Sequence, residues 1–146
     1  MTKKVVISGV GLWTPEHVIT NEELVASYNA YADKFNAENA AQIDAGTVAA
    51  KPHSSAEFIE KASGIKQRYI YRKEGALDVE RMRPVIPERQ DEELSHQGEI
   101  ALEAAKKALA AANKSPEDID AVIVSCAYTQ RAYPAIAIEV QNQLGI

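Results

Sequence analysis

An α/β fold follows from three stretches of this 146-residue chain. Two short β-branched runs, Val5 to Val10 and Ala121 to Ser125, have the unbroken apolar character of strands covered on both faces, and a long amphipathic helix lies between them. Strand, helices, strand and helix in that order predict parallel strands joined by a right-handed crossover.

The first run, Val5-Val-Ile-Ser-Gly-Val10, stops at glycines, as a buried strand does. After the turn Trp13-Thr-Pro15, Thr20-Asn-Glu-Glu23 has capping-box spacing: the Thr20 oxygen and the Glu23 carboxylate can each take a free amide, so a helix begins near Asn21. Tyr28 to Pro52 is rich in Ala, Asn and charge, with breaks at Gly46 and Pro52, which predicts weak continuation of the helix and then a loop. Ser54-Ser-Ala-Glu57 is a second capping box, opening a short helix to about Ala62, with Gly64 suited to a left-handed terminus. Arg68-Tyr-Ile-Tyr-Arg72 alternates as a short exposed strand does. Lys73 to Asp91 mixes two prolines with charges of both signs and no period, and reads as a long surface excursion.

The strongest helix runs from about Glu92 to Asn113. Ala101, Ala104, Ala105, Ala108 and Ala112 recur at spacings of three and four, so another backbone must approach this stripe closely. Ser115-Pro-Glu-Asp118 supplies a cap, a proline at the first helical position and acids for one turn before the second strand. Ala135 to Leu144 then places Ile136, Val140 and Leu144 on one face and ends at Gly145.

Composition narrows the function. A 46% hydrophobic and 25% charged chain is ordinary for a globular protein, and a net charge of −5 gives no attraction to nucleic acid or to an anionic membrane. One cysteine makes no internal disulfide, and without a Cys/His cluster no metal site is expected. Met1-Thr-Lys-Lys4 precedes too short an apolar run for a signal peptide and no stretch is long enough to span a bilayer, so a soluble chain is expected, and its single cysteine fits a reducing cytoplasm.

Gly9-Val-Gly11 after the first strand invites a dinucleotide-binding reading, but Thr14 stands where a third glycine belongs and Pro15 blocks an immediate helix. A packing turn explains it better. Cys126, at the carboxyl end of the second strand, could be a nucleophile, which would make the chain a small cysteine hydrolase. Against this, no spacing ties His17, His53 or His96 to it, no helix begins just after it, and lone thiols usually pack as small hydrophobes. Tyr128, Arg131 and Tyr133 sit in the long loop after that strand, where bulky side chains line either a pocket or the loop's own packing.

Three blocks, Gly9 to Leu24, Glu57 to Arg68, and Ile119 to Gly145 with its Tyr133-Pro134, stand in an order that resembles β-ketoacyl-ACP synthase III, a condensing enzyme of the thiolase superfamily. The resemblance implies that residues 1–146 form an incomplete N-terminal half-domain, part of the first half of a five-layered αβαβα thiolase-like fold, with insertions around 28–52 and 73–91. It implies a homodimer, acyl-CoA and malonyl-ACP as substrates, acyl carrier protein as partner, and no cofactor. It places no catalytic residue in this chain: the Cys-His-Asn set is expected in a remaining C-terminal part, and Cys126 is expected to be a core thiol. Phe58 and Ala62 match the places where the family typically carries a tryptophan and an arginine around the CoA adenine. Tyr133 matches an aromatic residue that closes the partner protomer's acyl pocket. The insertions imply a primer longer than acetyl. A non-catalytic thiolase-fold subunit of a condensing heterodimer is the alternative within the same fold.

Overall fold

The computed structural model describes residues 4–146. Met1 to Lys3, on which the signal-peptide argument partly rested, lie outside them. The chain divides into two compact units, Pro15–Pro87 and the flanking Met1–Thr14 with Glu88–Ile146. No helix among the described residues is long and apolar enough to cross a membrane.

In the Pro15–Pro87 unit, strand β1 (His17–Thr20) pairs antiparallel with β2 (Gln67–Ile70), Val18 facing Tyr69 and Ile19 facing Arg68. Ile19 is buried, and the side chain of Asn21 extends the pairing by donating to the Ile65 carbonyl at 2.7 Å. Helix α1 (Asn21–Glu38) starts at the predicted box: the Glu23 amide donates to Thr20 Oγ1 at 3.2 Å and the Thr20 amide to Glu23 Oε2 at 3.0 Å. Lys73 closes on the other Glu23 oxygen at 2.5 Å. That ammonium and the Thr20 amide hold the Glu23 carboxyl below its ordinary value.

The Ala- and Asn-rich stretch is more ordered than its composition implies. Helix α1 runs to Glu38, the short α2 (Ala40–Asp44) follows, and the returning chain lies along α1. Two asparagine side chains hold it there. Asn36 accepts from the Lys51 amide at 2.8 Å and donates to the Lys51 carbonyl at 2.9 Å; Asn29 does the same for Ser54, at 2.9 and 3.1 Å. Seven residues apart, the two amides share one face of α1 and imitate strand partners. Lys51 also lies 4.5 Å from the centre of the Phe35 ring.

The excursion after β2 is likewise built rather than loose. Gly75, at φ +74°, turns the chain so that the Val85 amide reaches the Glu74 carbonyl at 2.8 Å. Ser27 and Lys34 of α1 fasten it, through the Leu77 carbonyl and the Glu80 carboxylate. Helix α3 (Ala56–Ser63) is capped one residue later than expected: Ser55 rather than Ser54 accepts from the Phe58 amide, so Glu57 completes no box. Gly64 ends it at φ +72°.

In the other unit, α4 (His96–Ala112) begins four residues later than its periodicity predicts, because Ser95 caps it and Glu93 is held in a preceding turn by the Gln90 amide. Helix α5 (Ile136–Leu144) packs on α4, and Leu102, Ile136 and Val140 are the buried apolar residues there. The alanine stripe is used as predicted. A Cβ on Gly9 would fall 2.7 Å from the Ala112 nitrogen, and one on Gly11 would collide with the Ala104 carbonyl and the Ala108 nitrogen. Gly9-Val-Gly11 is thus a backbone seat on α4, and Lys107 pins it by donating to the Leu12 carbonyl at 3.0 Å.

The expected parallel strands do not form. Neither Val5 to Val10 nor Ala121 to Ser125 is paired as a strand, and the sheet among the described residues is the two-stranded antiparallel one. Both runs border one cleft with α4 and α5. Their outer sides are bare: Val5 is 95% and Ile123 92% exposed. A run suited to burial on both faces pairs only when neighbouring strands are present. The short strand His17–Thr20, which periodicity did not single out, forms because β2 folds back onto it.

Candidate functional site

Phe58 projects from α3 with 65% of its surface exposed. It borders an open groove of about 670 Å³ between α1 and α3, together with Leu24, Tyr28, Pro52, Ile59 and Met82. The groove draws on both long connecting stretches, since Tyr28 and Pro52 bound one and Met82 belongs to the other. Met82 is held at φ +48°, a conformation rare for a side chain of its size, with its amide bonded to the Asp78 carbonyl at 2.7 Å. Ser54 and Ser55 give the groove a polar edge, and His53 there bonds Asp33 at 2.7 Å. Ala62 follows Phe58 by one helical turn and is exposed. It offers only a methyl group beside the ring.

Tyr133 belongs to the other unit. It is 88% exposed and precedes the cis peptide to Pro134, in an irregular loop between Cys126 and α5. That loop is tied to the segment before α4. Arg131 donates to the Asp91 carbonyl at 2.5 Å and to the Gln90 carbonyl at 3.3 Å, and the Gln130 side-chain oxygen accepts from the His96 amide at 3.0 Å. Behind it, Ser95 bonds the carboxylate of Glu139, a charged residue that is only 7% exposed on the inner face of α5. Gly98 leaves room for that carboxylate, which a Cβ would strike. Sequence reasoning passed over Glu139. The available signal was its place three residues after Ile136 and one before Val140, on the stripe that should be apolar.

Cys126 is exposed, not packed as a core thiol, because the run that it ends has no covering neighbour. Its sulfur is engaged by the Tyr128 carbonyl at 2.7 Å, not by a histidine base, and the next helix begins only at Ile136. Among the described residues, no group of three or more His, Cys, Asp and Glu side chains converges as a metal ion would require.

Two features stand out among the described residues: an apolar groove bordered by Phe58 and a clamped loop carrying Tyr133. Comparison with known proteins gives these surfaces a context. No family model matches the chain. It is 51% identical over 120 residues to the β-ketodecanoyl-[acyl-carrier-protein] synthase of Pseudomonas aeruginosa, an alignment covering 82% of this chain and 34% of that protein. It is 34% identical over 139 residues to the β-ketoacyl-[acyl-carrier-protein] synthase III of Erythrobacter litoralis, covering 95% of this chain and 30% of that one. The crystal structure of 3-oxoacyl-[acyl-carrier-protein] synthase III from Aquifex aeolicus superposes with a TM-score of 0.57 at 27% identity, over 95% of this chain and 30% of that one. The chain spans about a third of the length of the curated relatives it matches.

Proposed function

We propose that this chain, a relative of β-ketoacyl-ACP synthase III with the same thiolase-like α/β fold, is the N-terminal part of an enzyme that condenses a medium-chain acyl-CoA with malonyl-ACP in fatty-acid synthesis. The observation that carries this reading is the 51% identity to a relative named for its β-ketodecanoyl product. A ten-carbon β-ketoacyl product, less the two carbons that malonyl keeps after losing carbon dioxide, implies an eight-carbon primer.

The reaction is a thioester exchange followed by a carbon–carbon bond. A cysteine thiolate attacks the acyl-CoA carbonyl and expels the CoA thiolate; malonyl-ACP then loses carbon dioxide, and the resulting enolate attacks the acyl carbon and releases the cysteine. Neither step needs a redox cofactor. The cysteine, with the histidine and asparagine that stabilise the enolate, is assigned to the part of the relatives' length that this chain does not span. This chain's share is recognition. Phe58 offers a ring face to the adenine, but with Ala62 in place of an arginine the ring has no cationic partner, which shifts primer affinity toward the acyl chain. Tyr133 closes the acyl pocket of a second protomer in a cytoplasmic homodimer.

The test is the primer profile of the full-length enzyme with malonyl-ACP. Because each buried methylene is worth about 0.8 kcal/mol, kcat/KM for octanoyl-CoA is expected to exceed that for acetyl-CoA by at least about tenfold. A preference for acetyl-CoA would overturn the assignment of primer length.

A further inference from the structure

We propose that Arg131 and Gln130 are positioning residues for primer length, acting by fixing the loop that carries Tyr133; the inference rests on the acyl-pocket role just proposed for Tyr133. Tyr133 cannot set a distance by its own packing, since 88% of it is exposed and no regular element contains it. What fixes its backbone is one residue pair on the same loop. The Arg131 guanidinium donates to two successive carbonyls, Asp91 at 2.5 Å and Gln90 at 3.3 Å. Planar donors spaced for two acceptors hold orientation as well as distance, which a single ammonium cannot do. Gln130 takes the amide of His96, one of the donors that a helix start leaves unmet, and so registers the loop against the first turn of α4.

The receiving side is built to stay still. The Gln90 carbonyl also accepts from the Glu93 amide at 3.1 Å, and the Gln90 amide donates to the Glu93 carboxylate at 2.6 Å, closing a turn. Arg89 braces it by donating to the Leu94 carbonyl and to Glu99, both at 2.6 Å. The last part of the Lys73–Asp91 insertion therefore reaches the acyl pocket without lining it. Its backbone carbonyls are the anchor to which the selecting loop is tied.

In the full-length enzyme, Arg131→Lys and Arg131→Ala are each expected to reduce the octanoyl-to-acetyl ratio of kcat/KM by about five- to tenfold, the size of one ordinary hydrogen bond and less than a fully buried charge-assisted one, because the guanidinium is partly exposed. The loss should fall on octanoyl-CoA, with acetyl-CoA turnover and the melting temperature little changed. Tyr133→Ala should change the same ratio, and adding Arg131→Ala to it should change the ratio no further. Arg131 variants with an unaltered profile, beside a Tyr133→Ala that alters it, would overturn the positioning role while leaving the proposed function standing. Additive effects in the double variant would overturn it too, because Arg131 would then act by another route. A Tyr133→Ala with an unaltered profile removes the pocket role itself and the inference with it.

Discussion

Asn29 and Asn36 show how single side chains replace secondary structure in this protein. Each amide satisfies both the N–H and the C=O of one residue on the returning chain, Ser54 and Lys51 respectively, so a segment without strand partners is still bonded. Replacing Asn36 by Ala leaves two part-buried backbone groups unmet, and a loss of about 1–3 kcal/mol in unfolding free energy is expected in denaturant titration. Asn36→Asp should be nearly as damaging, since a carboxylate accepts from the Lys51 amide but cannot donate to its carbonyl. Little of this was legible beforehand. The asparagines were visible as composition, and a spacing of seven marks one helical face only once the helix is known to reach Glu38. Glu139 is the same lesson in reverse: the residue that broke the apolar pattern of α5 is the one bonded to Ser95.

At the scale of elements, the helices and the strand near Arg68 were readable, but its partner β1 and the pairing of the two were not. The signals at Thr20-Glu23, Gly64, Ser115-Asp118 and Gly145 act within four residues, so the sequence displays them directly. Strand pairing is a property of two segments, and β1 finds β2 across nearly fifty residues. The start of α1 provides a pH-dependent check. Because the folded-state pKa of Glu23 is depressed, chiefly by Lys73 and then by the Thr20 amide, its contribution is complete above the ordinary carboxyl value near 4.5 and is lost as pH falls through the lower folded value. The gap in melting temperature between the wild type and Glu23→Gln is therefore expected to hold steady from about pH 7 to pH 5 and to close on further acidification. A gap that widened in acid would contradict the Lys73 contact.

Across the whole molecule, the telling fact is where apolar surface is left uncovered. Val5, Val6, Ile7, Val10 and Ile123 are each at least 75% exposed, although their β-branched character suits a doubly covered sheet. Residues 1–146 produced alone are expected to form aggregates of no fixed size and to bind a hydrophobic dye, whereas the proposed full-length homodimer should elute as a single dimeric species and bind little dye; size-exclusion chromatography and dye fluorescence read the difference. Gly9 and Gly11 meanwhile bring this bare run into backbone contact with α4, and two residues later comes Trp13, the one tryptophan in the chain. The seat consequently has an optical reporter of its own: emission excited at the indole band arises within a few residues of the place where the glycines meet the helix, and its colour follows whether that joint is closed.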